Sequence, residues 1–174
     1  MKEKLLLLSN LCLFTFTALF LATAQTSLWY QVFGYFPGPA LWIPCLVYIA
    51  LQRSTVETLV FSYLVGFVLS TLTTMNEGVL ITVCMALSLS TQVFKQRIFW
   101  PGSSYFMMTC GFAALVFHIY HWLAALIFEG YAITNPQISD WLIEALLTPL
   151  AAPLLDPLFH WFDKMTKREQ PNEI

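Results

Sequence analysis

The chain has 174 residues, 58% of them hydrophobic and only 10% charged, with a formal net charge of -2. A water-soluble fold with so little charge could not cover its surface, so a bilayer is the solvent for most of the chain. Eight Lys and Arg against ten Asp and Glu also exclude the strongly basic surface that nucleic acid demands.

The first apolar run, Leu5 to Ala24, is about 20 residues, enough at 1.5 Å per residue to cross a hydrocarbon core of about 30 Å. Lys2 and Lys4 before it and Ala22-Thr23-Ala24 at its end outline a secretory signal. The run is longer than a signal's apolar region and Ser9 and Asn10 interrupt it, so it is expected to stay as the first span. Asn10 is expected to bond a neighbouring helix near the basic side. A neutral aromatic loop, Thr26 to Phe36, then leads through Pro37-Gly38-Pro39 into a second, short span at 40–52. At about 13 residues it is marginal on length alone. Further spans follow at 57–75, 78–94, 105–128 and 141–162.

Charge sets the topology. With six spans, Lys2, Lys4, Arg53, Lys95, Arg97, Lys164, Lys167 and Arg168 all fall on one side, as the cytoplasmic excess of Lys and Arg requires. The other side carries only Glu77, Glu129 and Asp140. The expected fold is therefore all-α, a polytopic integral membrane bundle of about six transmembrane helices in one domain, residues 1–174, with both termini cytoplasmic. Trp29, Trp42, Trp100 and Trp141 fall near span ends, where an aromatic belt would sit. Membrane lipid is the first partner implied, and Lys164 to Arg168 would touch anionic headgroups.

Thr58, Ser62, Gly66, Ser70 and Thr74 recur every four residues in the third span, forming a stripe of small side chains on one helix face. In lipid such a stripe lets backbones approach closely, either within the chain or against a partner, a second copy included. Thr82, Ala86 and Ser90 on the fourth span form the expected matching row of a tight hairpin. In the sixth span Pro149, Pro153 and Pro157 each remove a backbone donor, so the helix is expected to be kinked or partly unwound around Leu150 to Asp156 and to face other protein.

His118, His121, Glu144 and Asp156 are the intramembrane polar candidates, with His160 nearer the basic end. Helix depth pairs His121 with Glu144. Structural hydrogen bonding is the expected role. No H-E-x-x-H, G-x-S-x-G or glycine-rich phosphate loop is present, so no enzyme, cofactor or metal is implied. Cys12, Cys45, Cys84 and Cys110 lie singly within spans and are expected to pack as small residues.

Pro39, Trp42, the run Leu46 to Leu51, Arg53, Gly66, Gly78 and the basic connector Phe94-Lys95-Gln96-Arg97 resemble the MreD family of bacterial rod-shape-determining membrane proteins. Many members carry Asp where this chain has Ser70, so no role of that carboxylate transfers. The resemblance implies a build similar to the substrate-binding subunits of energy-coupling-factor transporters. It also implies a non-enzymatic scaffold in the bacterial inner membrane that binds the bitopic protein MreC, and through it MreB filaments, RodA and its transpeptidase partner in peptidoglycan synthesis. The alternative is a vitamin-transporter substrate-binding subunit, favoured by the three prolines, the buried polar groups and Ala18-x-x-x-Ala22, which is similar to a docking motif of such subunits.

Overall fold

The computed structural model describes residues 2–73, 75–98, 102–128 and 137–166, and among these it is a bundle of helices without strands. Helix α1 (Lys2–Ala24) runs on through a π-helical turn at Gln25–Trp29 into the short α2 (Tyr30–Phe33). It is followed by α3 (Ile43–Gln52), α4 (Thr55–Leu72), α5 (Glu77–Arg97), α6 (Ser103–Phe128) and α7 (Ile138–Met165). Five stretches are long and apolar enough to cross a membrane, the first from Leu6 to Phe33. The protein is a multi-pass membrane protein.

The helices alternate in direction. Asn10 meets Asp163 and Phe14 meets Phe159, while Gln25 and Thr148 receive the adjacent backbone N–H groups of Leu41 and Ala40. Fifteen residues forward along α1 therefore match fifteen back along α7, about 22 Å of constant antiparallel register. Arg53 joins Asp163 at one end of this ladder, so the short segment from Ala40 to Arg53 covers the same depth between them. The expected second span thus crosses most of the bundle although α3 itself has only 10 residues. Arg53, Lys95, Arg97 and Lys164 lie together at what we call the basic end; Glu77 and Asp140 begin helices at the acidic end.

Helix α3 is the core. Every residue from Ile43 to Leu51 is buried, because α1, α4, α5, α6 and α7 surround it. A helix end buried in protein must find donors for its last carbonyls. Here Ile49 accepts from Arg53 N–H and Thr58 Oγ1, Leu51 from Lys95 Nζ, and Arg53 from Gln92 Nε2. Trp42 is buried against Phe117, so it belongs to the core and not to an aromatic belt. Trp100 lies outside the described residues. Cys45, Cys84 and Cys110 are buried and Cys12 is exposed, all as free thiols.

Some expected boundaries move. The loop expected from Thr26 is helical to Phe33, since nothing before Gly34 (φ 62°) interrupts the backbone bonds. Ala22-Thr23-Ala24 consequently lies inside an unbroken helix, and Ala18 and Ala22 are buried in the bundle. Ser54 starts α4 two residues early by accepting from Glu57 N–H, and Asn76 starts α5 by accepting from Gly78 N–H at 2.9 Å.

The partial unwinding expected around Leu150 to Asp156 is not found: α7 is continuous from Ile138 to Met165 through Pro149, Pro153 and Pro157. Spaced by four, the prolines share one stripe, and the bonds on the rest of the helix remain. The expectation that this helix would turn mainly toward protein also fails, because Leu142, Leu146, Leu150 and Leu154 form an exposed row.

Candidate functional site

The small-residue stripe is spent inside the molecule. Thr58 accepts from Gln92 Nε2 at 2.9 Å, Ser62 and Ser88 share a 2.5 Å hydrogen bond, and a Cβ on Gly66 would lie 2.7 Å from Ile81 Cα. These pairs step in opposite directions along α4 and α5, the register of a hairpin. Ser70 is half-buried and bonds its own helix at Phe67 O, and Thr74 lies outside the described residues. The facing row is Ile81, Ser88 and Gln92. Thr82, expected there, is exposed, and Ser90 instead turns to Tyr120 of α6 at 2.6 Å.

On α6, His118 Nε2 lies 3.2 Å from Glu144 Oε2, and its ring stacks on Trp141 with centroids 5.3 Å apart. The pairing expected for His121 belongs to His118. Gly111 packs so tightly on Pro149 that an added Cβ would meet Pro149 Cγ at 2.5 Å, and this contact sets the register. His121, 60° to one side, stacks on Phe117. The His118 and Glu144 atoms are within ion-pair distance but not aligned as a hydrogen bond. Glu144 is one turn beyond Thr148 toward the acidic end, so this pair is nearer an interface than the middle of the bundle.

The basic half holds a more extensive arrangement, centred on Asp163, which the sequence analysis passed over. Asp163 Oδ1 accepts from Arg53 and from Asn10 Nδ2 at 3.2 Å; Oδ2 accepts from Tyr48 OH at 2.9 Å. Asn10 Nδ2 also donates to Thr166 Oγ1 at 2.8 Å, as expected of a helix-bridging group. The Arg53 and Asp163 side chains are 5% and 3% exposed. Tyr48 OH also lies 3.1 Å from His160 Nδ1, His160 Nε2 lies 3.5 Å from Asp156 Oδ1, and Ser103 Oγ donates to Asp156 Oδ2 at 3.3 Å. One polar chain thus runs from α1 and α3 through α7 to the first residue of α6.

Depth gives this chain its meaning. In the α1 register Asp163 is opposite Asn10, so Asp156, seven residues back and about 10 Å higher, is opposite Thr17, inside the basic half of the first membrane stretch. Ionisable groups at that depth are costly and mark function by default. A buried ion pair is moreover weak evidence for stability alone. Asn10 Oδ1 and Arg53 Nε remain buried without a hydrogen bond, which an all-apolar packing would have avoided. Signals for Asp163 were available in its sequence position, one α-helical turn from Phe159 and His160, but it sits among the terminal charges that a topology reading assigns to water.

Among the described residues no three His, Cys, Asp or Glu side chains converge as a metal site would require. The chain matches no protein-family model, no curated protein and no solved structure.

Proposed function

We propose that this protein is a non-enzymatic scaffold of the bacterial rod-shape complex. It lies in the inner membrane with its basic end and both termini cytoplasmic, and it binds an MreC-like bitopic protein that links MreB filaments to RodA and its transpeptidase partner. The observation that carries the reading is the place of the residues that resemble the MreD family. Pro39 and Trp42 are buried at the head of α3, Leu46 to Leu51 form its enclosed body, Arg53 makes the buried ion pair, and Gly66 lets the α5 backbone approach α4 closely. They are the architectural centre of the bundle, and a scaffold needs a rigid centre. Short connectors at the acidic end suit a protein that leaves periplasmic work to its partner. The transporter reading loses one support, because Ala18 and Ala22 are buried against the protein's own core.

The test is mass spectrometry of what co-purifies with the tagged protein from its native membrane in mild detergent. A single-span periplasmic coiled-coil protein recovered with peptidoglycan synthases is the expected result. Paired ATPases with a small bound ligand would assign the protein to the transporters and end the scaffold reading.

A further inference from the structure

The seam between α5 and α6 holds a narrow cleft that opens on one side to the outside of the bundle. Its floor is Thr91, Thr109 and Ala113, all buried, and its walls are Phe94, Phe112 and Val116, of which Phe112 is exposed. The two floor hydroxyls are bonded back to Leu87 O at 2.9 Å and Tyr105 O at 2.7 Å, and Ser90 is bonded to Tyr120 OH at 2.6 Å. The cleft therefore offers contact to hydrocarbon and not to a polar solute. At about 230 Å³, open side included, it is also below the roughly 300 to 1,000 Å³ of a pocket for a compact small molecule. Charge complements it. From Gly78 to Phe128 the sequence has no Asp or Glu, whereas Lys95 and Arg97 stand in the last turn of α5. Of the cations nearby, Arg53 is bonded to Asp163 and Lys95 to Leu51 O, but Arg97 is exposed and, among the described residues, no carboxylate meets it. Asp156, which touches the start of α6, is already bonded by Ser103 and within ion-pair distance of His160. Ser90, Phe94 and Arg97, spaced by four and then three, share the face of α5 that lines the cleft, so Arg97 stands at its mouth one turn beyond Phe94. From Arg97 to Leu87 is about 15 Å along α5, half of a hydrocarbon core of about 30 Å and so the depth of one leaflet.

We infer that the cleft between α5 and α6 binds an anionic phospholipid from the leaflet at the basic end, with an acyl chain along Phe94, Phe112 and Val116 and the phosphate against Arg97. A cation between membrane helices at headgroup level attracts anionic lipid, and a guanidinium meets a phosphate with two parallel hydrogen bonds. Because the cleft begins one turn inside the guanidinium, one molecule satisfies both: its phosphate stays in the headgroup layer while its chain stays in hydrocarbon. The seam from α4 to α5 is closed by direct backbone approach at Gly66. At the seam from α5 to α6 the lipid chain takes that part.

The experiment is native mass spectrometry of the full chain, released from mild detergent in an equal mixture of phosphatidylglycerol and phosphatidylcholine with identical acyl chains. The expected result is a first lipid adduct in which phosphatidylglycerol is preferred about 5-fold, the worth of one cation in the headgroup layer. The preference should vanish in Arg97→Gln and persist in Lys164→Gln, an exposed cation at the same end. Val116→Trp, which fills the cleft, should reduce the adducts of both lipids. Each variant's melting temperature is measured alongside, so loss of fold is not read as loss of binding, and because Arg97 is exposed its arm decides even where Val116→Trp does not fold. Equal retention of the two lipids, a preference lost as fully in Lys164→Gln as in Arg97→Gln, or undiminished adducts in a folded Val116→Trp would each overturn the inference. So would displacement of the lipid by glycerol phosphate, since the acyl chain would then contribute nothing.

Discussion

Replacing Asp163 by Leu should be among the most damaging single changes in this protein, and replacing Arg53 as well should reverse much of the damage. Asp163 is 3% exposed and accepts from Arg53, Asn10 and Tyr48, which belong to α1 and to α3 with its C-terminal boundary. Removing it leaves a guanidinium buried without its counter-ion, a loss of about 3 to 5 kcal/mol, with a hydroxyl and an amide each needing a new acceptor. At about 2 to 4 °C per kcal/mol for a chain of this size, the melting temperature in mild detergent should drop by roughly 6 to 20 °C. The double variant Arg53→Leu/Asp163→Leu buries no charge and should recover at least half of that drop, since well-packed apolar replacements of buried ion pairs are often neutral or better. The assay is thermal unfolding of purified protein followed by tryptophan fluorescence, with Lys164→Leu, an exposed neighbour, as control. If Asp163→Leu unfolds within about 2 °C of wild type, or the double variant is no better than the worse single one, Asp163 is not the keystone described above.

Gly66→Ala should cost about 1 to 3 kcal/mol, because its Cβ would lie 2.7 Å from Ile81 Cα and backbone cannot yield as a side chain does; equal melting of Gly66→Ala and the exposed Tyr63→Ala would argue against the tight hairpin. Gly111→Ala should disturb the α6 to α7 seam, seen as a loss of the parallel His118 and Trp141 stacking and a shifted Trp fluorescence maximum; an unchanged spectrum counts against the register set by Pro149. His118→Ala with His121→Ala should leave rod shape intact at normal protein levels, and round cells would assign the acidic-end histidines a part in function. Reporter tags on the two termini should both read cytoplasmic, and a periplasmic N-terminus would refute the six-crossing orientation.

What could be read from residues alone was whatever depends on period, charge and length. Small residues every four positions on α4 pointed correctly to the face that α5 approaches, because backbone proximity in lipid selects for small size and size is visible in the letters. Arg53 between two apolar runs required the short second span to cross, and the ladder from Ala40 to Arg53 agrees. The partner row on α5 was misassigned because helix register depends on which side chains interlock, and Thr82, Ala86 and Ser90 are as small as Ile81, Ser88 and Gln92 are mixed. For the same reason Glu144 was matched with the wrong histidine: rise along the axis put His121, three residues nearer the acidic end, closer to Glu144 in depth, and the Gly111 contact with Pro149 sets the register that brings His118 there instead. The prolines misled in the other direction. Their local chemistry predicts a break, but four-residue spacing confines the lost donors to a single stripe and the helix continues.

That stripe and the Asp163 cluster pose one physical question between them, why a bundle in hydrocarbon would keep so many polar groups away from water. Stability is not a sufficient reason, since Asn10 Oδ1 and Arg53 Nε still lack partners after folding. Directionality is a better one. Lipid-exposed apolar surfaces slide past each other at little cost, whereas Asp163 accepts only when α1, α3 and α7 stand in one register, and His160 meets Tyr48 only in that same register.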